Sequence, residues 1–71
     1  MKPADRLRVL ETLHCLARER VRVSVQRRGL MLVPCGGEVG AYAKSFCREL
    51  AEAYEEHPNE VGEMIVARRA A

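Results

Sequence analysis

The sequence predicts a small α+β domain with the element order helix, strand, strand, helix, helix. Two observations carry that expectation. Between Val21 and Pro34 apolar and polar residues alternate, break at Arg27-Arg28-Gly29 and alternate again, which is the pattern of a half-buried antiparallel hairpin. On both sides of this stretch apolar residues recur at spacings of three and four, the pattern of helices on which the hairpin would pack.

The first helix is expected from Pro3 to about Arg20. Pro3 suits the first turn, where its missing N–H costs nothing, and Asp5 follows close to the positive helix end. Leu10, Leu13, Leu16 and Ala17, joined at the margins by Leu7 and Val9, form its expected apolar stripe. Arg6, Arg8, Glu11, Thr12, Arg18 and Glu19 are expected outward, with His14 at the rim.

In the hairpin, Val21, Val23 and Val25 share one face with Leu30 and Leu32 if the loop holds an even number of residues. Arg27-Arg28 and Arg28-Gly29 both satisfy that, and Gly29 supplies the positive φ of a tight turn. Arg22, Ser24 and Gln26 then point outward beside Met31 and Val33. Pro34 cannot donate to a ladder and ends the second strand.

Cys35-Gly36-Gly37 reads as a loop, followed by a long helix from Glu38 to Glu56. Its stripe is Val39, Tyr42, Ala43, Phe46, Cys47, Leu50, Ala53 and Tyr54. His57-Pro58 closes it, because proline pushes the residue before it out of the helical region. A short last helix carries Val61, Met64 and Ile65. Gly62 weakens it, and Arg68-Arg69 suit its negative end. The tail Ala70-Ala71 is expected to fray.

All 71 residues are assigned to one domain, close to the lower size limit for a self-sufficient core. A chain this short buries only about 60% of its unfolded surface, so self-association is one way to complete it, through the Tyr42–Tyr54 stripe or a strand edge. No apolar run approaches the roughly 20 residues of a membrane span. The first residues lack a signal peptide's apolar stretch. A cytoplasmic protein with no membrane partner is the default expectation.

Charge is unevenly placed. Residues 1–34 carry eight basic side chains against three acidic ones, and residues 35–71 carry four against seven. A net +2 thus conceals a dipolar molecule whose hairpin side suits an acidic partner. The plain alternative is two solvated faces that attract each other.

Catalysis finds no support. His14 and Cys15 are helix neighbours that do not face each other, and Cys47 and His57 would lie about 15 Å apart along a continuous helix. Asp5 is the only aspartate. The three cysteines, Cys15, Cys35 and Cys47, lack metal-ligand spacing and read as small hydrophobes, so neither cofactor nor metal is expected. Gly36-Gly37-Glu-Val-Gly40 lacks the Gly-Lys that a phosphate loop requires, and Glu38 would repel an anion there. Nucleic acid is the runner-up partner: Arg20, Arg22, Arg27 and Arg28 would suit phosphates. The ribbon offers no aromatic stacking platform, however, and the second half is acidic. The expected function is therefore non-enzymatic protein binding through Arg20, Arg22, Ser24, Arg27, Arg28, Met31 and Val33.

A resemblance sharpens this. Leu7-x-x-Leu10-x-x-Leu13, then Val21-x-Val23-x-Val25, then Gly29-Leu30-x-Leu32-x-Pro34, then Leu50 and His57-Pro-x-Glu60-Val61-x-x-Met64-Ile65 resemble the N-terminal docking domain of tubulysin-type nonribosomal peptide synthetases. The likeness covers most of the chain through apolar and turn positions. The stretch between Pro34 and His57 is longer than that family's by about two helical turns. The resemblance implies a partner peptide added to the hairpin edge, with Arg22, Arg27 and Arg28 meeting an acidic C-terminal tail and Met31 and Val33 lining the contact. The short chain with no synthetase domain attached suits instead a small accessory protein of a phage or mobile element. An anti-CRISPR-type inhibitor occupying a surface of a large complex is one such case.

Overall fold

The structure is a computed structural model that describes residues 1–70. Its order is helix α1 (Pro3–Arg18), strands β1 (Val21–Gln26) and β2 (Gly29–Pro34), and helices α2 (Ala41–Glu56) and α3 (Pro58–Ala70). The expected α+β order and the antiparallel hairpin are both present. Of the tail expected to fray, Ala70 closes α3, and Ala71 lies outside the described residues.

α1 begins as its sequence dictates: Lys2 is extended, Pro3 opens the helix, and the Arg6 N–H donates to the Lys2 carbonyl at 3.0 Å. It ends two residues before the expected Arg20. Arg20 takes φ 58°, the only positive φ at a non-glycine among the described residues, and this left-handed turn swings the chain from helix into strand. The Arg20 N–H donates to Ala17 and its carbonyl accepts from the Cys35 N–H at 2.8 Å, so one residue ends the helix and prolongs the ladder.

The buried face of α1 is Val9, Thr12, Leu13 and Leu16, so Leu13 and Leu16 of the expected stripe are in the core, Val9 moves in from its margin, and Leu10 and Ala17 stay out. Leu7 and Leu10 are 58% and 40% exposed, and Ala17 is exposed. Apolar residues surround much of this helix, so spacing alone does not fix which side turns inward. Thr12, expected outward, tolerates burial because its Oγ1–H donates to the Arg8 carbonyl at 2.9 Å.

The hairpin register pairs Val21 with Pro34, Val23 with Leu32, Val25 with Leu30 and Gln26 with Gly29. Arg27-Arg28 is thus the loop. Neither arginine takes a positive φ, so the primed turns are excluded; the positive φ, 127°, falls on Gly29 as β2 begins. β1 packs on α1 and α3, and β2 on α2. All three helices thus support the hairpin.

α2 starts at Ala41, three residues later than expected. Gly37 at φ 109° cannot join a helix, and Gly40 caps it in an extended conformation. No acidic residue lies in its first turn and no basic residue in its last, so the helix dipole gives it no help. Packing holds it instead, through Ala43 and Leu50 with half-buried Phe46, Cys47, Ala53 and Tyr54 around the core. Tyr42, expected in that stripe, is 77% exposed. His57 alone joins α2 to α3: its N–H donates to Ala53, and its carbonyl accepts from Val61. α3 buries Val61, Met64 and Ile65 as expected, and Met1, its side chain 1% exposed, sets its amino group 3.2 Å from Glu60.

Two substitutions test these backbone choices by thermal or urea unfolding. Arg20→Gly should stabilise the chain by about 0.5–1 kcal/mol, since relief of the left-handed strain exceeds the entropy that glycine brings to the unfolded state. Gly62 is helical and buried, and an added Cβ meets only ordinary contacts, Tyr54 at 3.8 Å and Val25 at 4.0 Å. Gly62→Ala should therefore gain about 0.5–1 kcal/mol from helix propensity.

Candidate partner-binding surface

Because the valine and leucine face of the hairpin is turned toward the helices, the opposite face is left to solvent. There Arg22 stands opposite Val33 and Ser24 opposite Met31. Gln26 Nε2 donates to Ser24 Oγ at 3.1 Å, which steadies the polar row along β1. Met31 and Val33 are 48% and 44% exposed, so the row across from it is apolar and open. Both were expected there.

The edges follow from the ladder. Antiparallel pairs alternate between hydrogen-bonded and non-bonded, and the bond from Cys35 to Arg20 fixes the phase. Arg22, Ser24 and Gln26 therefore spend their backbone groups on β2, and Val21, Val23 and Val25 turn theirs outward. Among the described residues the sheet has two strands, and both of its edges lack a strand partner there. On the β2 edge Pro34 has no N–H to offer, which leaves the β1 edge as the longer row of donors.

The residues expected at the site do not gather in one cluster. Arg22, Ser24, Met31 and Val33 share the outer face. Arg27 and Arg28 project from the tip, and Arg20 lies at the other end of β1, about 20 Å away along six residues of strand. Arg20 is committed to the helix-to-strand turn rather than to the outer face.

In its place the fold supplies Arg69. This residue, expected only to complement the end of α3, reaches the outer face and closes a concavity of about 420 Å³ with Arg22, Ser24, Gln26 and Val33. Forty-seven positions separate Arg22 from Arg69, and no local pattern joins them. A second concavity of about 190 Å³ lies alongside, where Val21 and Val23 meet Leu13 and Ala17 of α1 and Ile65 of α3. Val23 and Arg69 line both.

Electrostatics leave this surface cationic. Among the described residues the ion pairs are Arg8 with Glu49 at 3.7 Å and the Met1 amino group with Glu60. Arg20, Arg22, Arg27, Arg28, Arg68 and Arg69 have no carboxylate within 4.0 Å there. Both of these ion pairs join the basic half to the acidic half, and neither involves an arginine of the hairpin or of α3.

Other candidate chemistry is dispersed. Among the described residues no three His, Cys, Asp or Glu side chains are placed to hold a metal ion. The three cysteines are unpaired, with Cys35 exposed and Cys15 and Cys47 half-buried. Tyr42 stands in solvent while Tyr54 packs near Gly62, so the two tyrosines do not form one open stripe. No helix of the described residues is long and apolar enough to cross a membrane. The chain matches no protein-family model, no curated protein and no solved structure.

Burial pushes the Cys47 thiol up from its ordinary pKa, which lowers its thiolate fraction at neutral pH. Brief treatment with iodoacetamide at pH 7.5, read by peptide mass spectrometry, should therefore label Cys35 well before Cys47. Raising the pH should narrow the difference. Equal rates at pH 7.5 would contradict the burial of Cys47.

Proposed function

We propose that this chain is a non-enzymatic protein-binding module that takes an acidic segment of its partner on the hairpin. The observation that carries the reading is the outer face itself. Arginines without carboxylate neighbours flank an exposed apolar pair, beside a strand edge with unpaired backbone groups. An extended acidic peptide meets all three features: backbone bonds supply affinity, and side chains supply register and choice. The same mode is what the resemblance to synthetase docking domains implies, and the hairpin, its exposed Met31 and Val33 and its Arg27-Arg28 tip support it. Nucleic acid would use the same arginines, but the hairpin offers a single strand no aromatic side chain for stacking, and phosphates would leave the apolar pair Met31 and Val33 unused.

The test is fluorescence anisotropy with an end-capped acidic peptide of Glu-Ser repeats, against a Gln-Ser control and a short DNA duplex. The acidic peptide should bind and the control should not. Arg27→Glu with Arg28→Glu should weaken binding by about tenfold or more, the scale of losing charge-assisted hydrogen bonds, with circular dichroism unchanged. Equal binding of acidic and neutral peptides would overturn the reading, and so would binding to DNA alone.

A further inference from the structure

The edge of β1 runs between two concavities of opposite character. On its outer side lies the notch closed by Arg22, Ser24, Gln26, Val33 and Arg69; on its inner side lies the groove where Leu13, Ala17 and Ile65 meet Arg68 and Arg69. The first presents two guanidinium groups, a hydroxyl and an amide, with no carboxylate within 4.0 Å of either arginine among the described residues. The second is mainly aliphatic, lined by Leu13, Ala17, Val21, Val23 and Ile65, with Arg68 and Arg69 completing its wall. Val23, whose backbone groups point to the open edge, lies between them.

A strand laid on this edge turns alternate side chains to opposite faces of the sheet. Those that share a face with Arg22, Ser24 and Gln26 enter the cationic notch, and those that share a face with Val21 and Val23 enter the aliphatic groove. We infer that the β1 edge selects an extended peptide in which acidic and aliphatic residues strictly alternate, and that Arg69 pairs with Arg22 as a specificity-determining residue. The inference rests on the protein-binding reading above and narrows it, from any acidic segment to one of defined period. A carboxylate fits the notch because guanidinium groups grip it bidentately, and an aliphatic side chain gains by leaving water for the groove. An aliphatic residue in the notch would cover two arginines without satisfying them. A carboxylate in the groove would give up water to sit against Leu13, Ala17 and Ile65, with only Arg68 and Arg69 in reach.

The experiment compares two end-capped hexapeptides of one composition, Glu-Val-Glu-Val-Glu-Val and Glu-Glu-Glu-Val-Val-Val, by anisotropy with the full chain. The alternating peptide should bind about tenfold tighter, since the block isomer cannot fill both concavities in one register. Arg69→Ala should remove most of that preference by emptying one wall of the notch. Ala17→Glu should do the same by placing a charge in the groove, with circular dichroism verifying that both variants fold. Equal affinity for the two isomers would overturn the alternation while leaving acidic-peptide recognition in place. Binding of neither isomer would overturn both readings. Tighter binding by Arg69→Ala would overturn the role given to Arg69, showing that its side chain obstructs the edge.

Discussion

A two-stranded hairpin has no independent stability in water, so this one exists only because its inner face is buried against helices. That constraint governs most of the molecule. Because side chains alternate with a period of two, burying Val21 and Val23 with Leu30 and Leu32 fixes the register, and a slip of one residue in β1 would turn its three valines to the outer face. Once the register is fixed, the rest is forced. Arg22, Ser24, Met31 and Val33 must face outward, Arg27 and Arg28 must form the tip, and Val21, Val23 and Val25 must present their backbone groups to the open edge. The surface described above is what remains after the core has taken its share.

The supports of that hairpin are joined with little slack. Two residues, Glu19 and Arg20, separate α1 from β1, and His57 alone separates α2 from α3. His57 is bonded to both helices that it joins, and the Glu19-Arg20 joint is bonded back to α1 and across to Cys35 beyond β2. In a chain of this size such economy matters, because ordered loops cost conformational entropy without adding buried area. Among the described residues the longest connection is the segment from Cys35 to Gly40, and its glycines serve the positive φ at Gly37 and the extended cap at Gly40.

What the sequence reveals and what it conceals divide along physical lines. Elements bounded by residues with a strong backbone preference are legible: Pro3, Gly29, Pro34 and His57-Pro58 stand where elements begin or end. The hairpin's two faces are legible too, because alternation has only two phases. The rotation of α1 is not, since Leu7, Val9, Leu10, Leu13 and Leu16 lie around much of its circumference and Thr12 makes its own burial tolerable. Arg20 as a left-handed residue gave no signal, being of a type that usually avoids that region. Within the candidate surface, the residues contributed by the hairpin were readable from period and turn. Arg69 was not, because its place depends on α3 packing on β1, a tertiary fact with no local trace in the sequence.

The bond from the Cys35 amide to the Arg20 carbonyl has a further meaning. It fastens the base of the ribbon, farthest from the tip, to the very residue that terminates the first helix. The loosest part of most hairpins is therefore clamped here, and the ribbon cannot peel from that end unless the helix terminus unwinds with it.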